Sequence, residues 1–136
     1  MAAKTYAFDT NHVSNMLKVQ YRSLLLRISQ NTTDRLILPE PVIYEVEKGL
    51  LHRGASSQFA TFQNEIVPLF EVIPVQLVDW RLAAVLWART RQQGRQLSDI
   101  DLLIAAMTLR LKAILITDDR DFTYLPEVPT ENWLNP

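Results

Sequence analysis

The chain has 136 residues, 48% of them apolar and 21% charged, which is enough for one domain with its own core. Its 15 acids outnumber its 14 lysines and arginines by one, so no global positive field recruits nucleic acid and any such partner must be held by a local patch. The absence of cysteine excludes disulfides and thiolate metal sites, and no stretch of eighteen uncharged apolar residues could span a membrane, a pattern that suits a cytoplasmic protein.

The opening MAAKTYAFDT runs straight into a strand-like segment and predicts no cleaved leader. Thr5–Phe8 reads as a strand that stops at Asp9-Thr10-Asn11, where Thr10 or Asn11 can cap a helix through Val13–Lys18. A second helix is expected over Tyr21–Ser29, with Leu24, Leu25 and Ile28 on one side, followed by polar turn residues Gln30–Asp34. Arg35–Leu38 is a second strand, stopped by Pro39. Pro41 suits the first turn of a helix that reaches about Arg53, since its missing N–H would be unpaired there anyway. In that helix Val42, Val46, Gly49 and Leu50 share one face, with Glu45 on its flank. Gly54 ends it, and Ser56 or Ser57 starts another through Ile66. Phe70–Ile73, closed by Pro74, is a third strand. Val78–Gln93 is the longest helix, with Gly94 as its C′ residue. Its Trp80, Ala83, Ala84 and Trp87 fall at helical spacing, and the two tryptophans read as core or dimer-interface residues.

The remaining stretch, Ser98–Phe122, organises the rest. Asp99 and Asp101 open a helix whose Leu102–Met107 segment is apolar on nearly every side and must be buried. Ala113–Thr117 reads as a buried strand, and Asp118, Asp119 and Asp121 follow it. Phe122–Pro129 is expected to be loop and Thr130–Leu134 a last edge strand. With no repeat, linker or low-complexity tract, residues 1–136 form a single α/β domain with a mainly parallel sheet. In such sheets the functional crevice lies beyond the carboxyl ends of the strands. That edge receives Asp9, the Asp118–Asp121 cluster, Asp101 from a helix start and Glu45 from a helix after a strand.

Crowded carboxylates repel one another unless a cation lies between them, and Mg²⁺ or Mn²⁺ prefers such oxygen donors. An ion of that kind promotes hydrolysis of a phosphodiester. Each acid also has a modest role available. Asp101 completes a capping box with Ser98, Asp99 answers the helix dipole, and Asp9 forms an Asx turn. Glu45 pairs with Lys48, and the DDRD run is a solvated turn. Four unrelated coincidences on one edge are the weaker explanation. His12 and His52 fit no zinc spacing and read as surface residues. There is neither a glycine-rich phosphate loop nor a nucleophilic serine elbow. Arg89, Arg91 and Arg95 either complement a helix C-terminus or form a phosphate-contacting rim; an acidic site that binds RNA needs nearby counter-charge, which favours the rim.

Several blocks, in this order and at this length, resemble the PIN-domain ribonucleases, and among them the VapC-type toxins of toxin–antitoxin pairs. They are FDTN at Phe8–Asn11, PVIYEVEKG at Pro41–Gly49, GRQLSDIDLLIAA at Gly94–Ala106, ITDDRDF at Ile116–Phe122 and ENW at Glu131–Trp133. The resemblance implies a three-layer α/β/α fold and hydrolysis of RNA with Mg²⁺ or Mn²⁺. Asp9 matches the family's first acid, with Asn11 as a supporting polar residue. Glu45 matches its glutamate, and Asp101, not Asp99, matches the acid before the buried helix. Asp119 matches the last acid, with Thr117 beside it. Asp118 stands where asparagine is common, so Asp118 and Asp121 compete with Asp119 for that place. On this pattern Asp9, Asp101 and Asp119 hold metal, and Glu45 ligates or orients a water. The resemblance also implies a homodimer and a small cognate antitoxin that covers the active site. Two rivals keep the same residues: a catalytically silent RNA- or protein-binding module, and a phosphotransferase with Asp9 as nucleophile. The second wants an acid two residues on, where Asn11 stands.

Overall fold

Thr5–Phe8 forms β1 at the centre of the sheet, with Tyr6, Ala7 and Phe8 all buried, as a strand covered on both faces requires. The computed structural model describes residues 3–134. Five parallel strands pair in the order β3-β2-β1-β4-β5, where β2 is Arg35–Pro39, β3 Glu71–Ile73, β4 Ile114–Ile116 and β5 Thr130–Glu131. The register aligns Phe8 with Ile116, which sets the ends of β1 and β4 side by side.

Between β1 and β2 the chain forms α1 (Thr10–Asn15) and α2 (Arg22–Gln30); between β2 and β3 it forms α3 (Glu40–His52) and α4 (Ser56–Thr61). From β3 it returns through α5 (Leu77–Gln92) and α6 (Asp99–Arg110) to β4, on the other side of β1. Right-handed crossovers running in opposite directions put these two groups of helices on opposite faces of the sheet. The result is the α/β/α sandwich expected from the alternation of strands and helices.

α6 is the spine of the core. Every residue from Leu102 to Thr108 is buried, and Thr108 satisfies its hydroxyl by donating to the Ile104 carbonyl at 2.8 Å. A bidentate ion pair ties it to α5: Arg110 Nε and Nη2 donate to Asp79 Oδ1 and Oδ2 at 2.6 and 3.0 Å, and Asp79 is fully buried. The other Asp79 bond, from the Gln76 N–H at 2.9 Å, closes the capping box of α5.

Besides α1, which ends early at Asn15, three elements differ from the sequence expectation. The helix beginning near Ser56 does not continue regularly to Ile66: it loosens into a π turn at Phe62–Ile66 and a 3₁₀ turn at Val67–Leu69, because Pro68 cannot donate the next helical N–H. The expected loop Phe122–Pro129 is entered through a 3₁₀ turn, Arg120–Tyr124, that buries Phe122. The last strand is only Thr130–Glu131, and beyond it Trp133 folds inward, edge-on to Tyr6 and Phe8.

Candidate active site

Strands β1 and β4 are neighbours whose connections leave in opposite directions, which makes the gap beyond their carboxyl ends the topological switch point of the sheet. Asp9 extends β1 by donating its N–H to the Ile116 carbonyl at 3.0 Å, and its side chain is 3% exposed. One carboxylate oxygen accepts the Thr10 N–H at 2.8 Å and so caps α1; the other accepts the Thr117 hydroxyl at 2.7 Å. The cap is therefore Asp9, one or two residues earlier than Thr10 or Asn11, and α1 ends at Asn15, short of Lys18. This frees the Thr10 hydroxyl to donate to Glu45 Oε1 at 2.7 Å. Glu45 is thus held across α1 and α3, not by Lys48, whose ammonium lies 5.1 Å from the centre of the Tyr44 ring.

Thr117 also accepts the Asp119 N–H at 3.0 Å, and Asp119 in turn accepts the Asp121 N–H at 2.9 Å, so the chain wraps around its own acids as it leaves β4. Asp101 arrives from the opposite side. Ser98 caps α6 by accepting the Asp101 N–H at 3.1 Å, which places Asp101 in the first helical turn. Single carboxylate oxygens of Asp101, Asp119 and Asp121 come within 4.8 Å of one another. Asp118 is exposed, between two residues that turn towards Asp9, and its charge is felt by His12. Asn11 is exposed on α1, and Asp99 is exposed beside the tryptophans of α5.

The electrostatics follow from this crowding. Burial pushes the Asp9 carboxyl up to about 6; the Thr117 and Thr10 hydrogen bonds oppose that rise, and the charges of Asp119 and Glu45 add to it. Asp101 is raised to about 7, first by burial, then by Asp9 and Asp119 and, more weakly, Glu45, with the Ser98 bond opposing. Asp9, Glu45, Asp101 and Asp119 therefore face a common volume. An all-oxygen donor set with repelling carboxylates fits a hard divalent cation and offers nothing to a soft one.

His12 is fully buried, contrary to the surface position its sequence context suggests; His52 is exposed. The fold covers His12 with the Trp133 segment: His12 Nε2 accepts the Trp133 N–H at 3.0 Å, so Nδ1 carries the imidazole proton and has no hydrogen-bond partner among the described residues. Burial lowers the His12 pKa to about 4, with the Asp118 charge acting in the opposite direction.

The three arginines part ways. Arg89 is engaged in a two-point ion pair with Glu127, and Arg91 lies over Trp87, 4.7 Å from its centre. Arg95 stacks on Tyr124 at 4.2 Å. Trp80 and Trp87 are 53% and 42% exposed and so do not belong to the core; with Ala83, Ala84, Asp99 and Leu102 they line a groove of about 470 Å³. Sequence reasoning missed Thr10 as the holder of Glu45. Thr10 reads as a capping residue, and only its pairing with a glutamate 35 positions away reveals more.

The PIN domain family profile matches residues 6–128. Among curated proteins, the chain is 28% identical over 133 residues to Ribonuclease VapC1 of Haemophilus influenzae (strain R2866), spanning 94% of this chain and 97% of that protein. Among solved structures, it is similar to VapBC-1 of nontypeable Haemophilus influenzae, with a TM-score of 0.81, 22% identity, and 96% and 99% of the two chains covered. It is also similar to DNA-bound VapBC of Salmonella typhimurium, with a TM-score of 0.83, 18% identity, and 98% and 99% covered.

Proposed function

The chain belongs to the PIN-domain family, and we propose that within it the protein is an endoribonuclease dependent on Mg²⁺ or Mn²⁺, the toxin half of a toxin–antitoxin pair. One observation carries the reading: oxygens of Asp101, Asp119 and Asp121 lie within 4.8 Å of one another, beside a buried Asp9 that shares Thr117 with Asp119. A silent binding module has no need to hold four repelling carboxylates in place, at a cost in stability.

Asp101 and Asp119 would hold the cation with Asp121 or Asp9 as the third carboxylate, and Asp118 stands outside the set. A divalent cation bound there supplies charge neutralisation and Lewis acidity towards the phosphodiester. The chain's own residues do the rest. Glu45, fixed by Thr10, orients the attacking water and accepts its proton; Thr117 keeps Asp9 and Asp119 in register. Water adds to phosphorus, the P–O3′ bond breaks, and a proton passes to the departing 3′ oxygen. The products carry a 5′-phosphate and a 3′-hydroxyl. Arg89 is already engaged in its ion pair, whereas Arg91 and Arg95, each over an aromatic ring, keep N–H groups for a phosphate contact.

VapBC is the toxin–antitoxin family to which VapBC-5 of Mycobacterium tuberculosis belongs, and the same kind of partner, a small cognate antitoxin, is proposed here as the cover of the acidic site. The exposed Trp80–Trp87 groove on α5 is proposed as the homodimer contact. No helix among the described residues is long and apolar enough to cross a membrane, and the proposed setting is the cytoplasm, where RNA is abundant.

Calorimetric titration of Mn²⁺ into partner-free protein, together with end-labelling of cleaved RNA, tests the reading. Saturable binding that is lost in Asp119→Asn, with 5′-phosphate ends, supports it. Folded protein with no specific Mn²⁺ site would favour the silent module.

A further inference from the structure

We propose that His12 is a positioning residue of the acidic site: by accepting the Trp133 N–H it holds β5 against β4 and so fixes Thr117 between Asp9 and Asp119. The inference deepens the metal-site reading above and rests on it.

His12 and Trp133 close a circuit of hydrogen bonds that begins and ends at Asp9. The Thr117 hydroxyl donates to Asp9 at 2.7 Å, and the Thr117 N–H donates to the Glu131 carbonyl at 2.9 Å. The Glu131 carboxylate accepts the Trp133 indole N–H at 3.0 Å, and the Trp133 backbone N–H donates to His12 Nε2, also at 3.0 Å. His12 belongs to α1, the helix that Asp9 caps. The Trp133 ring within this circuit stands edge-on to Tyr6 and Phe8, with centroids 5.0 and 5.3 Å apart, and Phe8 is the residue before Asp9. The Arg27 guanidinium lies over the same ring, 3.8 Å from its centre.

β5 needs such a tether. It has two residues and pairs only with β4, too short a ladder to hold its place alone. If it frays, the Thr117 N–H loses its acceptor. The residue that orients both Asp9 and Asp119 then loses its backbone support.

Stability alone does not account for a histidine here. Its bond satisfies the buried Trp133 N–H, yet the Nδ1–H of the same fully buried ring has no partner among the described residues. One donor is paired and another is stranded, so the hydrogen-bond balance is close to even. What the imidazole adds is an uncharged acceptor at a fixed place on α1. A carboxylate there would bring another negative charge towards the acids.

The test compares parent, His12→Leu and His12→Gln as whole, partner-free chains whose folding is checked by circular dichroism. Leucine fills volume without offering an acceptor; glutamine sets an amide oxygen close to the place of Nε2 and can take the Trp133 N–H. In ¹H–¹⁵N spectra of metal-free protein, His12→Leu should move the Thr117 and Asp119 amide resonances, although neither residue bonds to His12. His12→Gln should return them towards their parental positions. Mn²⁺ affinity should fall about 10-fold in His12→Leu, and His12→Gln should recover most of that loss. Cleavage by His12→Leu should approach the parental rate once Mn²⁺ saturates the site. Unmoved Thr117 and Asp119 resonances, parental Mn²⁺ affinity in folded His12→Leu, or a loss that glutamine does not recover would overturn the proposal. Failure of the nuclease reading registers separately, as a parent that binds no Mn²⁺ and cuts no RNA, and the spectra then still decide whether His12 holds Thr117.

Discussion

The Thr117 hydroxyl donates to Asp9 at 2.7 Å across 108 residues of chain and joins the ends of β1 and β4 at the centre of the acidic site. The same oxygen accepts the Asp119 N–H, so one side chain sets the spacing of two candidate metal-holding acids. Thr117→Val preserves shape and removes both bonds. Mn²⁺ affinity and cleavage should each fall 10- to 100-fold, as is usual for groups that orient metal ligands, roughly the range seen elsewhere. Calorimetry and cleavage assays on protein with an unchanged circular dichroism spectrum would check this, and parental values in both would remove Thr117 from the account.

The raised carboxyls make a signed prediction for metal-free protein. Asp9 binds its proton more tightly folded than unfolded, so its contribution to stability is full below about 4 and is lost as pH rises through about 6. The loss amounts to on the order of 3 kcal/mol at pH 8. Asp9→Asn should therefore raise the Tm of metal-free protein, and by more at pH 8 than at pH 5. Asp101, raised to about 7, moves in the same direction. A gain independent of pH would contradict the burial of an ionising Asp9.

His12 acts with the opposite sign. Its lowered pKa means that its stabilising contribution is present above the ordinary histidine value and is lost as pH falls towards about 4. His12→Leu leaves the Trp133 N–H without its acceptor and should cost about 1–3 kcal/mol at pH 7.5, a gap that narrows at pH 5 as the parent weakens. Urea denaturation at the two pH values measures it. A gap that widens on acidification would contradict the burial of a neutral imidazole.

The two ion pairs at either end of α5 should differ sharply. Asp79→Ala strands a half-buried Arg110 and is expected to cost about 3–5 kcal/mol; Arg89→Gln breaks an exposed pair and should cost no more than about 1 kcal/mol. Comparable urea midpoints for the two variants would refute this division.

Much of this architecture is legible in the chain. Thr5–Phe8, Arg35–Leu38 and the Ala113–Thr117 run are short, apolar and cleanly stopped, and each falls on an observed strand, the second running one residue further, to Pro39. The Leu102–Met107 segment is too apolar to lie anywhere but the core. Asp9, Glu45, Asp101 and Asp119 can be placed on one edge because strand ends and helix starts in a parallel sheet share it. What stays hidden depends on distant pairing. His12 looks like a solvated helix residue until Trp133 covers it, and the exposure of Trp80 and Trp87 is decided by how α5 sits on α6, which helical spacing alone does not reveal.

The most direct measurement compares parent and Asp9→Asn protein, both stripped of any co-purifying partner, for cleavage of RNA in Mn²⁺, in Mg²⁺ and in EDTA. The account predicts cutting by the parent with either metal, none in EDTA, and none by folded Asp9→Asn under any condition. Cutting by Asp9→Asn at the parental rate, or cutting that EDTA leaves intact, would contradict it.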